Sequence, residues 1–390
     1  METAVIVEGA RTPIGRFLGS FADTPAVELG TMAAREAMRR ARVDADSVDQ
    51  TIFGHARQAG NGPNTGRQVS VYAGVPVDVS AYNVNIACGS GMKAVQLAAQ
   101  QIALGDSEVV LAGGIENMTR VPYLLPDARR GHRLGDTKLV DAMYRDGLLD
   151  PLCGLVMGET AENLVDRYDL TREEQDAFAL ESQRKATAGA GRRAAEMFPV
   201  DTTLDRKPVS VTEDEHPRPG TTMEDLAKLA PVFREGGSVT AGNSSGITDG
   251  AAAMIVMAGS RAKAEGREPI ARILAWSWTG VPPEIMGIGP VPATKKVLDK
   301  TGFTIDDFDR IEINEAFAAQ VIACERELKF DRDRVNVNGG GISIGHPIGM
   351  SGARIVLSLA YELRASGASL GLATLCISGG QGLAVVLERA

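Results

Sequence analysis

The chain has 390 residues, 44 of them glycine; it is longer than one small domain needs, and its glycine share is above the usual ~7%. The glycines follow no G-X-Y period, which excludes a collagen-like fibre, and 44% hydrophobic with 23% charged residues excludes wholesale disorder. A net charge of −9 argues against a nucleic-acid partner, although local arginines on an acidic protein can still bind phosphate.

In chain order, Ala4 to Val7 reads as a buried strand leading to a turn at Arg11 to Pro13. Residues 26–42 place Leu29, Met32, Ala33 and Ala37 at helical spacing. Thr51 to Phe53, Ala81 to Ile86 and Glu108 to Ala112 are predicted strands, with a helix over Met92 to Leu104 between the last two. Strands alternating with helices predict an α/β architecture on a parallel or mixed sheet. From about 119 to 249 the chain is richer in charge, proline and glycine. It holds one amphipathic helix there, Thr171 to about Ala188, opened by a capping box of Thr171 and Glu174. The longest apolar stretch, Ala251 to Ala258, is far short of the ~20 residues a membrane span needs. The acidic METAVIVEGARTPIG lacks a signal peptide's basic region, and the terminal LERA is no peroxisomal tag, so a cytoplasmic protein is expected.

The second half repeats the order of the first. Val43 to Gly54 parallels Phe303 to Asn314 in its acidic residues and apolar strand, and NVN at Asn83 to Asn85 recurs at Asn336 to Asn338. Each NVN leads through glycines to a Ser-Gly opening a helix (Ser90-Gly91, Ser351-Gly352), and each helix ends at a glycine (Gly105, Gly367). The second copy carries eight extra residues before its Ser-Gly, His346 among them. A duplicated βα unit with residues 119–249 inserted over it accounts for the pattern.

Four cysteines (Cys88, Cys153, Cys324, Cys376) lie far apart with no CxxC pair, so neither a zinc site nor a disulfide framework follows. Cys88, in NIACGSGMKAV, sits between a strand and a helix, where unpaired N–H groups and the helix dipole favour a thiolate. Gly89 and Gly91 would clear space there for a substrate carbonyl. A small buried cysteine in a tight turn would look the same. His346, in GGGISIGHPIGMSG, is presented from a loop that Pro347 and the flanking glycines keep out of a helix. Cys376, in LATLCISGGQG, ends the last strand of its repeat, and its equivalent in the first copy lies near Gly113 and Gly114. Asn314-Glu315-Ala316-Phe317 also ends a strand, where α/β sheets meet their ligands. Each has an ordinary packing explanation; four together at strand ends of one duplicated framework do not.

NIACGSGMKAV, NEAF, GHPIGMSG and CISGGQG, in this order, resemble the thiolase family. ARTPIGRF, GGIENM, MGETAEN, TAGNSSGITDGAAA and MGIGPVPA extend the resemblance along the whole chain. It implies a five-layer αβαβα core of two duplicated halves with an inserted loop domain. Residues 1–118 with 250–268 would form the first half and 269–390 the second; 119–249 would bind coenzyme A and make oligomer contacts. The implied reaction is reversible Claisen condensation of acyl-CoA, or thiolysis of 3-ketoacyl-CoA, through an acyl-cysteine. Cys88 would be the nucleophile, His346 its base, and Cys376 the acid and base at the α-carbon. One oxyanion hole would use His346 with a water held by Asn314, the other the backbone N–H groups of Cys88 and Ser378. Losing one such donor typically costs roughly 2.7–4 kcal/mol of barrier. The resemblance places Arg218 near the adenine nucleotide, Ala241 and Ser245 along the pantetheine arm, and Met157, Met286 and Phe317 at the acyl end. Coenzyme A thioesters are then substrates, with no permanently bound cofactor, no metal, no nucleic acid and no membrane as partner. Val121 to Leu152 resembles the part that joins dimers, so a homodimer or homotetramer is expected, and Cys153 and Cys324 are expected bystanders.

Two positions depart from the family pattern. Ser378 stands where glycine is usual, which works only if φ there suits serine. Val156 stands where enzymes devoted to acetoacetyl-CoA often have histidine. That points to a more apolar acyl pocket and keeps a longer-chain 3-ketoacyl-CoA thiolase open beside an acetyl-CoA C-acetyltransferase. Other classes compete as well. Gly242-Asn243-Ser244-Ser245-Gly246 satisfies GxSxG, so a serine hydrolase using Ser244 is the remote alternative; it needs a strand before the motif and a helix after it. A condensing enzyme using acyl carrier protein would pair its cysteine with two histidines, or histidine and asparagine, in place of Cys376, and a non-catalytic acyl-CoA binder would be expected to have lost a catalytic residue. Glycine clusters at Gly89-Gly91, Gly339-Gly341, Gly345-Gly352 and Gly379-Gly382 border Cys88, His346 or Cys376, so the glycine surplus reads as a feature of the site.

Overall fold

The computed structural model describes residues 2–390. Its main strands are β1 (Ala4–Arg11), β2 (Gln50–His55), β3 (Ser80–Val84), β4 (Val109–Asn117), β5 (Thr248–Ala258), β6 (Ala271–Gly280), β7 (Arg310–Ile313), β8 (Leu370–Ile377) and β9 (Gln381–Arg389). The helices that matter here are α1 (Ala26–Ala41), α2 (Thr65–Ala73), α3 (Ser90–Leu104), α4 (Met157–Tyr168), α5 (Arg172–Ala188), α6 (Pro290–Thr301), α7 (Ala318–Leu328) and α8 (Ile348–Ser366). The predicted elements are all present; three of the four predicted strands run longer than predicted, whereas that over Ala81 to Ile86 is Ser80–Val84, one residue shorter. The Thr171 capping box forms as expected, with the Glu174 N–H donating to Thr171 Oγ1 at 3.1 Å and the Thr171 N–H to Glu174 Oε2 at 2.8 Å.

Pairing follows the order β7-β8-β9-β6-β1-β5-β4-β2-β3. Outward from the centre, β1, β5, β4 and β2 meet through two antiparallel pairings and then a parallel one, as do β6, β9, β8 and β7. The halves join through only two residue pairs, Val5 with Arg272 and Ile6 with Ala271. In the first half β3 adds a further parallel strand beside β2. Its counterpart in the second half shrinks to one parallel bridge between Ile311 and Val335. The reason is local: Asn336 takes φ +43°, and its side-chain amide bonds Ile313 and Glu315, turning the chain away from β7. So NVN is extended in one copy and bent in the other.

Burial separates the layers. α3 and α8 pack on each other and against strands of both halves, and the largest apolar core surrounds them. α1 and α2 cover the outer face of the first half over a second core. α6 covers the outer face of the other half, with α7 in the same third core. Helix, sheet, helix pair, sheet and helix give five layers, αβαβα. The chain between β4 and β5 supplies α4, α5, a hairpin of Val200–Leu204 with Lys207–Val211, and the long loop 125–139.

The central helices meet almost backbone to backbone. A Cβ on Gly91 would lie 2.6 Å from the Ala353 N, and one on Gly352 2.4 Å from the Met92 N. Gly114 would place its Cβ 2.3 Å from the Gly349 O. This corrects the reading of Gly91 as space cleared for a substrate: the duplicated Ser-Gly pairs exist because two helix starts cross in the middle layer. Gly89 instead faces side chains, those of Ile377 and Ile86.

Candidate active site

The N-terminal ends of α3 and α8 come together, and each carries a loop residue singled out above. Cys88 lies in a one-turn 3-10 helix, Ala87–Gly89, directly before α3. Ala87 holds φ +48°, a conformation costly for an L-residue with a side chain. It persists because Ser90 Oγ donates to the Ala87 O at 2.7 Å and accepts from the Ile86 N–H at 3.0 Å, while Asn85 Oδ1 accepts from the Ala87 N–H at 3.0 Å. The serine of the Ser-Gly pair therefore fixes the turn that presents the cysteine.

His346 precedes Pro347 and α8. Its Nδ1 is 2.5 Å from Ser351 Oγ, whose own hydrogen goes to the Pro347 O at 2.9 Å. Nδ1 is therefore the protonated nitrogen, and Nε2 carries the lone pair, 3.4 Å from Asn314 Nδ2. Asn314 Oδ1 is buried without a hydrogen-bond partner. Burial first, and then the charges of Arg354 and Arg57, push His346 down to about 3. The imidazole is neutral at physiological pH.

Cys376 ends β8 and is fully buried. Ser378 follows in the turn to β9, where Gly379 (φ +85°) and Gly380 (φ +78°) take the left-handed positions. Ser378 is not left-handed, so serine is sterically sound there. The turn is pinned from the insertion: the Gly379 N–H donates to Asp150 Oδ2 at 2.8 Å. The backbone N–H groups of Ser378 and of Cys88 both act to lower the Cys88 thiol.

The expectation that the helix terminus makes Cys88 a resting thiolate is not met. Burial raises the thiol above its ordinary value, and Arg57 and the two N–H groups offset only part of that. Cys376 is pushed well up, by burial and by the neighbouring Cys88 and Cys324. Desolvation outweighs the dipole because both sulfurs lie under a roof of inserted chain.

One cavity of about 620 Å³ gathers Cys88, His346, Cys376 and Ser378 from both halves. Arg218, Ala241 and Ser245 line it too, with Arg218 and Ala241 exposed, and so do Met157 at the start of α4, Met286 and Phe317. Asn314 does not line it and touches it only through His346. Val156 is on the wall. Cys324 is buried in α7 with its thiol donating to the Gly287 O, and Cys153 sits in a turn away from the cavity wall. Ser244 lines the cavity, yet its hydroxyl donates to the Thr240 O at 2.6 Å, and a strand, β5, follows it in place of a helix. That geometry does not make a hydrolase elbow.

Four contributors escaped the sequence reading. Ser351 reads from the sequence only as part of a Ser-Gly opening a helix, and nothing there singles out Asp150 or Arg57 at all. Glu116, inside the quoted GGIENM, is buried and accepts the N–H groups of Ala56, Arg57 and Gly349, with His55 Nε2 3.2 Å away. It ties the His346 loop to the first half. An acid just after Gly113-Gly114, near the end of an apolar strand, was the only local signal.

Among the described residues no group of three or more His, Cys, Asp or Glu could hold a metal ion, and no helix is long and apolar enough to cross a membrane. Comparison with known proteins gives a consistent result. The family model described as "Thiolase, N-terminal domain" matches residues 4–260, and "Thiolase, C-terminal domain" matches 267–389. An acetyl-CoA acetyltransferase of Pseudomonas aeruginosa is 51% identical over 392 residues, covering all of both chains, and one of Escherichia coli is 49% identical over the same length. The crystal structure of the Bacillus anthracis acetyl-CoA acetyltransferase superposes with a TM-score of 0.98 at 46% identity, covering 100% of this chain and 99% of that one. The Syntrophomonas wolfei acetyl-CoA acetyltransferase gives 0.97 at 41%, covering both chains fully.

Proposed function

The chain belongs to the thiolase family, and from that premise we propose that it is an acetyl-CoA C-acetyltransferase working through an acyl-cysteine. The observation that carries the reading is the convergence of Cys88, His346, Cys376 and Ser378, drawn from both halves, on one cavity.

The Cys88 thiol is protonated at rest, so it is activated only as it attacks. His346 Nε2 takes the proton while Ser351 holds Nδ1, and the sulfur adds to the thioester carbon. The oxygen turning negative is met by the N–H groups of Cys88 and Ser378, which need no rearrangement to serve it. Coenzyme A leaves as its thiol with the Cys376 proton, and the acyl group stays on Cys88 beside a Cys376 thiolate and a protonated His346. In condensation the Cys376 thiolate removes an α-proton from the second acyl-CoA, that carbon displaces Cys88 from the acyl carbon, and Cys88 recovers its proton from His346; thiolysis runs the same steps backwards. The Nε2–H of the protonated His346 and a water held by Asn314 stabilise the enolate oxygen. Coenzyme A enters past Arg218, Ala241 and Ser245, and Met157, Met286 and Phe317 bound the acyl end. Residues 1–118 with 250–268, 119–249 and 269–390 act as first half, insertion and second half.

The test is direct. Acetyl-CoA should leave one acetyl group on the Cys88 peptide, and Cys88→Ala should abolish it. Cys376→Ser should still be acetylated but lose condensation; condensation at the native rate would remove Cys376 from the mechanism.

Val156 on the wall supports a second reading, in which longer 3-ketoacyl-CoAs are preferred. Comparing kcat/KM over a chain-length series decides between them. We also propose a homodimer or homotetramer built through 121–152, where Leu134 is 99% exposed and Leu139 66%. Light scattering of the intact chain measures this, and a monomer at micromolar concentration contradicts it.

A further inference from the structure

Arg57 is the charged group this mechanism leaves unused. It is 93% buried, as its 7% exposure implies, and it lines the cavity that holds Cys88. Its Nε is buried without a hydrogen-bond partner. Glu116 is the carboxylate beside it, but that group already accepts from three backbone N–H groups and lies against His55, so none of its capacity remains for the guanidinium. The chain also makes room for the guanidinium: a Cβ on Gly147 would fall 2.6 Å from Arg57 Nε and 2.8 Å from Nη2. A cation seated this deeply calls for an anion in contact with it, and among the described residues no carboxylate lies within 4 Å; Glu116 acts on it only at longer range.

The surrounding lobe indicates which part of a substrate would bring that anion. Cys88 packs with Ala56, Met118, Leu148 and Ile348, residues that also border or flank Arg57. Cys376 belongs to a different cluster, with Met286, Phe317, Met157 and Phe233. The group carried on Cys88 therefore extends toward Arg57, and the second acyl group does not. The charge of Arg57 is felt at both Cys88 and His346, which places it close to the reacting sulfur.

We infer that the Cys88 side of the cavity is a subsite for acyl groups ending in a carboxylate, which Arg57 holds through a short apolar stem. The inference rests on the acyl-transfer reading above and concerns only which acyl group is transferred. A planar carboxylate matches the guanidinium fork with two parallel hydrogen bonds, and the methylenes between it and the thioester lie against Met118, Leu148 and Ile348. The chemistry is plain thioester exchange. The acyl–S bond to coenzyme A breaks, the acyl–S bond to Cys88 forms, the Cys88 proton goes to His346 and the Cys376 proton to the departing thiol, with nothing oxidised or reduced.

The experiment measures pre-steady-state acylation of Cys88 by acetyl-CoA, butyryl-CoA and succinyl-CoA, the last two equal in chain length. The wild type should take the succinyl group faster than the butyryl group. In Arg57→Leu that ratio should fall at least roughly tenfold, the lower end for a lost hydrogen bond to a charged group, and Arg57→Lys should recover part of it. A wild-type preference for butyryl-CoA overturns the inference without any variant. An unchanged ratio in Arg57→Leu overturns it as well. So does an equal fall with all three thioesters, which would make Arg57 a positioning charge for the Cys88 thiol. If acetyl-CoA leaves nothing on wild-type Cys88, the acyl-transfer reading itself fails, and this inference with it.

Discussion

At the scale of single residues, the site runs on neutral groups brought together under cover. His346 is pushed down to about 3, so it remains an unprotonated base across the range where a free histidine would switch off. The acid limb of Cys88 acetylation should therefore be absent near pH 6.5; a rate that halves there would contradict the proposed role. The same depression makes the native state less stable as pH falls below 6.5, because the unfolded chain then binds a proton that the folded site refuses. Ser351 is the partner that keeps the useful nitrogen free. Ser351→Ala should lower kcat by roughly 5- to 150-fold, the equivalent of about 1–3 kcal/mol for a lost buried hydrogen bond, with KM nearly unchanged. A rise in KM at constant kcat would assign Ser351 to binding instead.

At the scale of elements, the determining contact is the crossing of α3 and α8. Helices usually pack 8–10 Å apart, with side chains between them. Here Gly91 and Gly352 face backbone atoms that cannot move aside. Gly91→Ala should cost about 3 kcal/mol, the upper part of the usual range for overpacking, and it should disturb acylation because the Cys88 turn rests on the same helix start. Gly191→Ala, where nothing lies within 4 Å, is the control and should leave the melting temperature within a degree or so. Equal melting temperatures for the two variants would contradict the account. The glycine surplus was legible as clustering near the catalytic residues. Its reason was not, because a sequence does not show which backbone the missing Cβ atoms would strike.

At the scale of the whole molecule, the insertion is held to the duplicated core by buried charge. Arg11, at the end of β1, donates from Nε to Glu196 at 2.6 Å and from Nη1 to Asp214 at 2.7 Å, and Arg193 Nε meets the same aspartate at 3.1 Å. Burial alone would raise the Asp214 carboxyl, yet the two arginines hold it below the ordinary range. Arg11→Met should cost about 3–5 kcal/mol, since it strands the buried Glu196 carboxylate and leaves Asp214 only Arg193, and an unchanged urea midpoint would contradict that. ARTPIGRF signalled the family from sequence, but nothing in it revealed that its first arginine clamps a segment some two hundred residues away. By itself the sequence determined the alternation of elements and the duplication, and it singled out Cys88, His346, Cys376 and Asn314, because period, punctuation and local motif are properties of neighbouring residues; only Asn314 and Cys376 stand at strand ends, whereas Cys88 and His346 precede helices. Only the tertiary structure decided that desolvation keeps Cys88 a thiol, that Ser378 avoids the left-handed turn beside it, that one NVN bends where the other pairs, and that Arg57 reaches the cavity unpartnered. Those outcomes depend on what chain distant in sequence removes from water or places against a backbone, and that is a property of the folded molecule alone.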